Sequence, residues 1–333
     1  MSGSVHKSCD APAAPRCGRR DAVGEQFVSR NTTRLKHVLA RREATIVPGA
    51  ANALFARVIE DIGYEVVYVT GAGIANMHLG APDIGLTTLT EIANTVAAIS
   101  DAVDLPLLVD ADTGFGNALN MRRTVQVLER AGAAGIQIED QVFPKKCGHF
   151  TGKGVIPIAE MVQKIRAAVD ARRDGDFQIV ARTDARAIEG LDSAIDRARA
   201  MIEAGADATF VEAPLNEAEL GRIARDLPVP QIANMVFGGL TPEIGRAKLS
   251  AMGFGIVLYA NASLQAALKA NQEVLGALKR DGSLAAVANQ LADFGERQRA
   301  VAKDRYDALE ARYKTDEAET RPPVAGPRAG GKS

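Results

Sequence analysis

The sequence of 333 residues contains no tryptophan, few aromatic residues of any kind (5%) and only three cysteines. The shortage of aromatic side chains argues against a stacking surface for single-stranded nucleic acid. Lys and Arg number 40 against 41 Asp and Glu, so no excess of positive charge favours nucleic acid or a membrane surface as a partner. Cys9 and Cys17 fall in a polar terminal segment, so we expect no disulfide framework and a reducing compartment, the cytoplasm.

Long apolar runs are also missing. No segment approaches the ~18 apolar residues of a membrane span, and residues 1–30 lack the apolar core of a secretory signal. Residues 1–30 are polar and without periodicity, and residues 316–333 contain Pro322-Pro323 and Gly330-Gly331. We therefore predict two disordered tails around one folded unit over residues 31–315.

The region between the tails alternates short apolar segments with amphipathic segments of helical period. Apolar segments of this kind are typical of strands that are buried on both faces of a parallel sheet. The alternation predicts a modified (β/α)8 barrel of the TIM type, and a doubly wound open sheet is the alternative. The predicted strands are residues 45–47, 66–70, 107–110, 135–138, 178–183, 208–211, 231–233 and 256–258. The predicted helices are residues 51–62, 89–102, 118–131, 158–171, 191–204, 217–226 and 242–251.

A long helical stretch follows the eighth strand, from Leu264 to about Tyr313, with a break near Asp281-Gly282. It is longer than an eighth barrel helix needs. Its apolar positions either cover a second subunit or fold back on the same barrel, and the pattern leaves both open. These positions are Leu275, Leu278, Leu284, Val287 and Leu291.

Polar and glycine-rich segments come at the carboxyl ends of the predicted strands. In this class of barrel, those ends carry the chemistry. The opposite ends are bland by comparison, so the pattern predicts a functional site at one face of the barrel. The carboxyl-end segments are Thr70-Gly71-Ala72-Gly73, Asp110-Ala111-Asp112, Glu139-Asp140, Arg182-Thr183-Asp184, Glu212, Asn234 and Tyr259.

Asp110 and Asp112 stand two residues apart at the end of an extended segment, so their side chains point to the same side. Two carboxylates that meet repel each other unless a cation lies between them or one is protonated. Glu139, at the end of the next strand, completes a set of oxygen ligands that favours Mg2+ or Mn2+ over zinc. The alternative is that the two aspartates cap a turn.

The segment Lys145-Lys146-Cys147-Gly148-His149 places two lysines, a thiol and an imidazole on a loop after the fourth strand. A buried structural cysteine would not need such neighbours. Cys147 is either a nucleophile with a lowered pKa or a general acid that keeps its proton, and the residues alone leave both open. His149 either orients a substrate carboxylate or tunes the thiol, unless it is a structural loop histidine.

Two further segments suit an anionic ligand. Arg182 can hold a carboxylate through two hydrogen bonds, or it forms a structural ion pair with Asp184 or Glu212. The backbone of Gly71-Ala72-Gly73 lets N–H groups approach an anion closely.

Together these residues resemble the isocitrate lyase / phosphoenolpyruvate mutase superfamily, over about residues 34–300. The most specific match is Lys145-Lys146-Cys147-Gly148-His149, which resembles the motif of the lyase branch. The supporting matches are Tyr68-Val69-Thr70-Gly71-Ala72-Gly73, Asp110-Ala111-Asp112-Thr113-Gly114-Phe115-Gly116, Glu139-Asp140-Gln141, Ala181-Arg182-Thr183-Asp184 and Asn234-Met235.

The resemblance implies a barrel whose last helix is swapped between subunits in a homotetramer, with no nucleic acid or membrane partner. It implies Mg2+, or Mn2+, near Asp110, Asp112 and Glu139. A 2-hydroxy di- or tricarboxylate would be held by the remaining site residues, with Asp83 on a gating loop. Those residues are Thr70, Gly71, Ala72, Gly73, Arg182, Glu212 and Asn234 for one part of the ligand, and Lys146, Gly148 and His149 for a second carboxylate.

The implied reaction is a retro-aldol (Claisen-type) cleavage of the C2–C3 bond to a 2-oxo acid and a short carboxylate. The hydroxyl proton leaves toward Tyr68 or a base at the metal, and Cys147 acts as the general acid that protonates the carbanion.

The expected substrate is an alkylmalate such as 2,3-dimethylmalate, because Phe237 suits an alkyl group and Gln265 stands where tricarboxylate lyases of the superfamily carry an arginine. 2-Methylisocitrate lyase and oxaloacetate hydrolase or decarboxylase activities are the alternatives within the superfamily, and a non-catalytic barrel is the alternative outside it.

Overall fold

The computed structural model describes residues 30–146, 148 and 152–314. Both predicted tails lie outside these residues, apart from Arg30, and so do Cys147 and His149. The predicted domain limits therefore stay predictions.

Eight parallel strands close into a barrel in chain order, which confirms the TIM-type fold and rules out the open sheet. The barrel closes where the first strand pairs with the eighth, with Thr45 opposite Ile256 and Val47 opposite Leu258. The strands are β1 (Thr45–Ala50), β2 (Val67–Val69), β3 (Leu107–Asp110), β4 (Gly135–Glu139), β5 (Gln178–Thr183), β6 (Ala208–Val211), β7 (Gln231–Asn234) and β8 (Phe254–Tyr259). Each predicted strand lies within about two residues of an observed one.

The helices follow the predicted order, with two differences at the start and near the end of the barrel. The α-helices up to the eighth strand are α1 (Asn31–Arg41), α2 (Ala53–Ile62), α3 (Gly71–Ile74), α4 (Leu89–Ala102), α5 (Ala118–Arg130), α6 (Ile158–Ala171), α7 (Arg186–Glu189), α8 (Leu191–Glu203), α9 (Glu217–Asp226) and α10 (Arg246–Met252). A π-helix (Ala75–Leu79) continues α3. The predicted helix at 242–251 was wrong at its start, because residues 242–245 belong to a loop and Gly245 occupies the cap position of α10.

Helix α1, which was not predicted, closes the amino-terminal end of the barrel. Its buried residues Leu35, Val38 and Leu39 recur at helical spacing and belong to the same apolar cluster as the barrel interior. The approach is close: a Cβ at Gly255 would lie 2.8 Å from the carbonyl oxygen of Leu39. With this end plugged, only the carboxyl end of the barrel is left open for a ligand.

After β8 the chain forms α11 (Ala262–Asp281), a 3-10 helix (Ala285–Gln290), α12 (Phe294–Ala300) and α13 (Lys303–Tyr313). The predicted break is present, since α11 ends at Gly282 with a positive φ of 62°. Only Ala277 of the 20 residues of α11 is buried. Part of this region does return to its own barrel, where Arg299 of α12 lies 3.0 Å from Asp61 of α2. Among the described residues, no helix is both long and apolar enough to cross a membrane.

Candidate active site

A pocket with about 40 Å³ of free volume lies at the carboxyl end of the barrel, at the face that the sequence predicted. It is lined by residues from seven strands or the turns after them and by two loops. The predicted site residues among its lining are Tyr68, Thr70, Ala72, Asp83, Asp110, Glu139, Lys146, Gly148, Arg182, Glu212 and Asn234.

The three predicted metal ligands lie at the carboxyl ends of neighbouring strands, with Asp110 at the end of β3, Asp112 in the turn after it and Glu139 at the end of β4. Asp110 lines the pocket, and the backbone N–H of Asp112 donates to Asp110 Oδ1 (3.2 Å). Gly71 lies against both, since a Cβ there would come 3.1 Å from Asp110 Oδ2. Asp112 has a positive φ of 47°, a backbone conformation that is costly for a residue with a side chain and is concentrated at functional sites.

One buried carboxylate oxygen of this set, Glu139 Oε1, has no hydrogen-bond partner among the described residues. Burial raises the pKa of Asp112 to about 6, with the nearby Lys145 opposing the rise. Burial likewise raises the pKa of Glu139 well above its ordinary value, against the effect of Arg182. Glu139 Oε1 therefore lacks the compensation that buried charges normally have.

The donor set fits a hard cation that keeps part of its hydration shell. Over the described part of the chain, no three His, Cys, Asp or Glu side chains converge as direct ligands of one metal ion. Mg2+ characteristically retains several waters and takes only one or two protein carboxylates, so the oxygen donors of Asp110, Asp112 and Glu139 suit it.

Lys145, which the sequence analysis did not place in the site, is the cation next to these carboxylates. Its ammonium group lies 2.7 Å from Asp112 Oδ1 and also forms an ion pair with Asp83. Burial lowers the pKa of Lys145, but the carboxylates around it, Asp112 first, outweigh burial and raise it. Lys145 thereby joins two loops: the gating segment (residues 81–88), which carries Asp83, and the flap (residues 142–154), which carries Lys145 itself.

Arg182 lines the pocket and also forms the ion pairs that the sequence left as an alternative. Its Nε lies 2.9 Å from Asp184 Oδ2 and 3.3 Å from Glu139 Oε2, and its Nη1 lies 3.1 Å from Glu212 Oε2. The guanidinium group lowers the pKa of Asp184 to about 2, although burial alone would raise it. Arg182 is thus positioned by three buried carboxylates beside the space that a ligand would occupy.

The flap lines the pocket with Lys145, Lys146 and Gly148, and side-chain hydrogen bonds attach it at two points. Gln141 anchors its start, because the Gln141 amide donates to the carbonyl of Lys146 (2.8 Å) and accepts from the N–H of Lys146 (2.9 Å). Near its end, the ammonium group of Lys153 donates to the carbonyl of Gly148 (2.5 Å) and to Asp184 Oδ1 (2.6 Å). Gly148 packs so closely that a Cβ would lie 2.4 Å from Arg182 Nη2, which explains the glycine.

The turn after β2 lines the pocket with Thr70 and Ala72. Thr70 caps the short helix α3, where its hydroxyl accepts from the N–H of Gly73 (3.2 Å) and donates to Asn261 Oδ1 (3.2 Å). A Cβ at Gly73 would lie 2.5 Å from Thr70 Cγ2, so a larger residue would displace this turn.

Tyr68 lies at the floor of the pocket and donates to Gln137 Oε1 (3.2 Å). Burial raises the pKa of Tyr68 well above its ordinary value, and the charge of Asp110 adds to the rise. A phenol in this environment keeps its proton at neutral pH, so it is suited to donating a hydrogen bond rather than to accepting a proton in the ground state.

Two residues that were expected to determine the substrate do not line the pocket. Phe237 was wrongly expected to contact an alkyl group, because its side chain is 86% exposed on the loop after β7. Gln265 lies outside the pocket too, with its amide 3.5 Å from the carbonyl oxygen of Phe237. The apolar part of the pocket is formed instead by Phe210, Val236 and Leu258.

Sequence reasoning missed Asn261 as well as Lys145 and the apolar residues. Asn261 comes two residues after the end of β8 and lines the pocket, so the strand-end rule would have found it if the strand had been followed to its true end. Nothing in the order of residues shows that Phe210 and Leu258, inside strands, face the ligand space.

The comparisons with known proteins agree with this geometry. The family model described as phosphoenolpyruvate phosphomutase matches residues 35–279. A 2,3-dimethylmalate lyase from Eubacterium barkeri is 44% identical over 282 residues, which cover 85% of this chain and 98% of that protein. A 2-methylisocitrate lyase from Aeropyrum pernix is 46% identical over 249 residues, which cover 75% of this chain and 80% of that protein.

Among solved structures, a phosphonopyruvate hydrolase complex with oxalate and Mg2+ superimposes with a TM-score of 0.78 at 30% identity, covering 86% of this chain and 99% of that one. The chain therefore belongs to the phosphoenolpyruvate mutase / isocitrate lyase superfamily. Within that superfamily it is a carbon–carbon lyase.

Proposed function

We propose that the protein is a Mg2+-dependent lyase that cleaves an alkylmalate-type 2-hydroxy dicarboxylate, such as 2,3-dimethylmalate, to pyruvate and a short carboxylate. The observation that carries the proposal is the position of the flap. Lys146 and Gly148, the residues on either side of Cys147, line the same pocket as Asp110 and Glu139. The 2,3-dimethylmalate lyase relative, matched over 98% of its length, supports the same assignment.

Asp110, Asp112 and Glu139 are the proposed holders of the metal ion. When bound there, Mg2+ would supply Lewis-acid polarisation of the substrate's hydroxyl and carboxylate oxygens. The unpartnered buried oxygen of Glu139 supports this assignment, since a cation would compensate it. Mn2+ satisfies the same donor set.

The substrate is held at both of its carboxylates. Arg182 and the backbone of Thr70–Gly73 are proposed to bind the carboxylate on C2, with Glu212 and Asn234 completing that side of the pocket. Lys146, Gly148 and His149 are proposed to bind the second carboxylate, from the flap. Asp83 stabilises the closed arrangement through its ion pair with Lys145.

In the proposed reaction the hydroxyl on C2 loses its proton and the C2–C3 bond breaks. The bonding electrons stay on C3, so C2 becomes the carbonyl carbon of pyruvate. Cys147 then protonates C3 as the general acid. Tyr68, which keeps its proton, is assigned as a hydrogen-bond donor to a substrate oxygen rather than as the base. A free thiol in this role fits a reducing compartment, so we propose a cytoplasmic enzyme.

The apolar lining favours an alkylmalate over a tricarboxylate. Phe210, Val236 and Leu258 offer apolar contact to methyl groups. The cationic lining residues are Arg182, Lys145 and Lys146, and Lys145 already lies against Asp83 and Asp112. A third carboxylate, as in 2-methylisocitrate, would need a further cation, and Gln265 lies outside the pocket. Hydrolysis of oxaloacetate is the second alternative within the superfamily.

Replacing the thiol tests the mechanism. In Cys147→Ser, cleavage of 2,3-dimethylmalate should fall by ~10²–10⁴, while oxalate with Mg2+ still binds. Cys17→Ser, a thiol outside the proposed site, is the matched control and should keep full activity. Unchanged turnover in Cys147→Ser would exclude the thiol as the acid.

A steady-state screen of malate, alkylmalates, oxaloacetate and 2-methylisocitrate with Mg2+ tests the substrate. The proposal requires the highest kcat/KM on a dialkylated malate. A preference for 2-methylisocitrate or for oxaloacetate would contradict the proposal and favour the corresponding alternative, 2-methylisocitrate lyase or oxaloacetate hydrolase activity.

The exposed C-terminal helix supports an assembly of subunits. Leu268 and Leu275 of α11 are both 57% exposed, which is unusual for leucines on one long helix of a stable monomer. We propose a homotetramer of helix-swapped dimers. Leu275→Asp should lower the mass measured by light scattering, whereas Lys269→Asp, on the same helix, should not.

A further inference from the structure

A second cavity, of about 550 Å³, lies next to the active-site pocket and has no part in the proposed reaction. It is bounded by the gating segment, the turn after β3, the start of the flap and helix α6. Most of its surface is apolar and is provided by Leu86, Phe115, Phe143 and Ile156. Its size and composition are typical of a site for a small organic ligand.

Lys164 of α6 lines this cavity from a position where an apolar residue is expected. The buried face of α6 is formed by Met161, Lys164, Ile165, Ala168 and Ala171, which recur at helical spacing. Lys164 is only 3% exposed. A lysine on the buried face of a helix is costly unless something compensates its charge.

No compensating group is present in the described protein. Within residues 30–146, 148 and 152–314, Lys164 is neither a hydrogen-bond donor nor a member of an ion pair within 4 Å, whereas the buried Lys145 and Lys153 each have carboxylate partners. Glu160, one helical turn away, also lines the cavity and attracts the ammonium group only at longer range, with Asp140 and Glu139 more distant still. Burial accordingly lowers the pKa of Lys164.

Three of the neutral polar side chains around the cavity are already engaged. The Thr88 hydroxyl donates to Glu91 (2.8 Å), the Gln141 amide binds Lys146 at both of its atoms, and the Asn117 side chain caps α5. Lys164 is the cationic donor of this cavity, and it has no partner among the described residues. A matching ligand carries one anionic group and is otherwise apolar.

We propose that this cavity binds a small organic monocarboxylate, with its carboxylate on Lys164 and its alkyl chain against Leu86, Phe115 and Phe143. The proposal does not rest on the reaction assigned to the neighbouring pocket.

The cavity and the active-site pocket are lined by different residues of the same two loops, the gating segment and the flap, so an occupant would act on both loops. Gly85 of the gating segment packs against the flap, since a Cβ there would lie 3.2 Å from the Phe143 ring and 3.5 Å from the backbone nitrogen of Lys145. The Thr87 hydroxyl lies 3.5 Å from Asp112 Oδ2. A ligand that contacts Leu86 and Phe143 thus holds the gating segment and the flap together, in the arrangement in which Lys145 joins Asp83 to Asp112.

Titration calorimetry with hexanoate tests the site, using hexanamide as the neutral ligand of matched length. Hexanoate should bind the full-length protein at one site with a Kd of roughly 1 mM or below. Hexanamide should bind at least ~10-fold more weakly, because a charge-assisted hydrogen bond is lost. Equal binding of the two, or no saturable binding of hexanoate, would overturn the proposal and leave Lys164 as a lysine that is hydrated through the cavity.

Variants identify which cavity is occupied. Lys164→Met, which keeps the length of the side chain, should weaken hexanoate binding ~10-fold or more, and Leu86→Trp should do so by filling the cavity while keeping the charge. Lys248→Met is the control, because Lys248 is an exposed lysine that pairs with Glu217. If hexanoate binds Lys164→Met with unchanged affinity, it occupies the active-site pocket and the proposal fails. Hydrogen exchange adds a readout: hexanoate should slow exchange of amides 83–89 in the unmodified protein but not in Lys164→Met.

Discussion

Charged side chains occur at both ends of the barrel, but they are hydrated at one end and buried at the other. At the amino-terminal end, Arg41 pairs with Glu65 at 2.8 Å, with side chains that are 39% and 52% exposed. At the carboxyl end, Arg182 and Glu212 pair at 3.1 Å with side chains that are 9% and 2% exposed. Charge at a strand end therefore does not by itself mark a functional site.

Burial without full compensation is what separates the two ends. Glu139 Oε1 and Asn234 Oδ1 are buried oxygens without a hydrogen-bond partner among the described residues, and both belong to the carboxyl end. Such atoms lower stability unless a ligand compensates them. The ion pairs at the other end remain hydrated and contribute little either way.

The comparison is tested most strongly by removing one cation from the carboxyl end. In Arg182→Met, three buried carboxylates lose their partner, so the free energy of unfolding of the metal-free protein should fall by ~3–5 kcal/mol. Urea denaturation followed by circular dichroism measures this change. A loss below ~1 kcal/mol would mean that the charges at this end are as well hydrated as those at the other.

The pH dependence of stability gives a second test. The pKa of Asp112 is raised to about 6 in the folded protein from an ordinary value of 3.8, so the folded state binds more protons between these two pH values. The metal-free protein should therefore lose stability as the pH rises from about 4 to 6, by up to ~3 kcal/mol, and Glu139, whose pKa is also raised, acts in the same sense.

Asp112→Asn should flatten this slope, and Asp207→Asn, at the amino-terminal end, should not. The experiment is urea denaturation at several pH values in the presence of a chelator. Asp184, whose pKa is lowered to about 2, acts below this window, where stability is lost as the pH falls. A slope that is identical in the protein and in Asp112→Asn would contradict the assignment.

Addition of Mg2+ should stabilise the carboxyl end selectively. At ~100 times its Kd, a bound ion raises the free energy of unfolding by ~2.7 kcal/mol, and this gain should be lost on chelation. Glu139→Gln should abolish most of the gain, while Asp207→Asn keeps it, as measured by the shift in unfolding temperature. If Glu139→Gln responds to Mg2+ as the unmodified protein does, Glu139 takes no part in holding the ion.

The smallest effect is expected at the amino-terminal end. Arg41→Met removes the exposed pair with Glu65 and should change the free energy of unfolding by less than ~1 kcal/mol, with kcat/KM unchanged. A larger loss of stability would show that exposed pairs at the base of this barrel act as a network.

The fold could be predicted from the sequence because each strand is a separate apolar run followed by a polar end. Asp110 and Arg182 were found for the same reason, since the carboxyl ends of parallel strands meet at one face whatever the lengths of the loops. Helix α1 was missed although Leu35, Val38 and Leu39 have helical spacing. A single amphipathic helix before the first strand carries no sequence signal that it closes the end of a barrel.

The rest of the site depends on the paths of loops, which local pattern does not fix. Lys145 and Lys146 are adjacent in sequence and both line the pocket, yet Lys145 is buried between Asp83 and Asp112 while Lys146 is only half-buried. Val236 and Phe237 are adjacent too, and it is Val236 that faces the pocket. In each pair, a shift of one residue along the loop would exchange the more buried side chain for its exposed neighbour. Only the path of the loop in three dimensions decides which of the two side chains is the buried one.

The attachment of the flap by Lys145 on one arm and Lys153 on the other has a kinetic consequence. If the flap opens to let a product leave, the ammonium groups of Lys145 and Lys153 both lose their buried carboxylate partners and become hydrated. These two sets of ion pairs lie at opposite ends of the flap, so they break separately. We therefore expect departure of the last product, rather than rupture of the carbon–carbon bond, to limit the rate of turnover. Variants in which the ends of the flap are attached more weakly should therefore release product faster and have a higher turnover number.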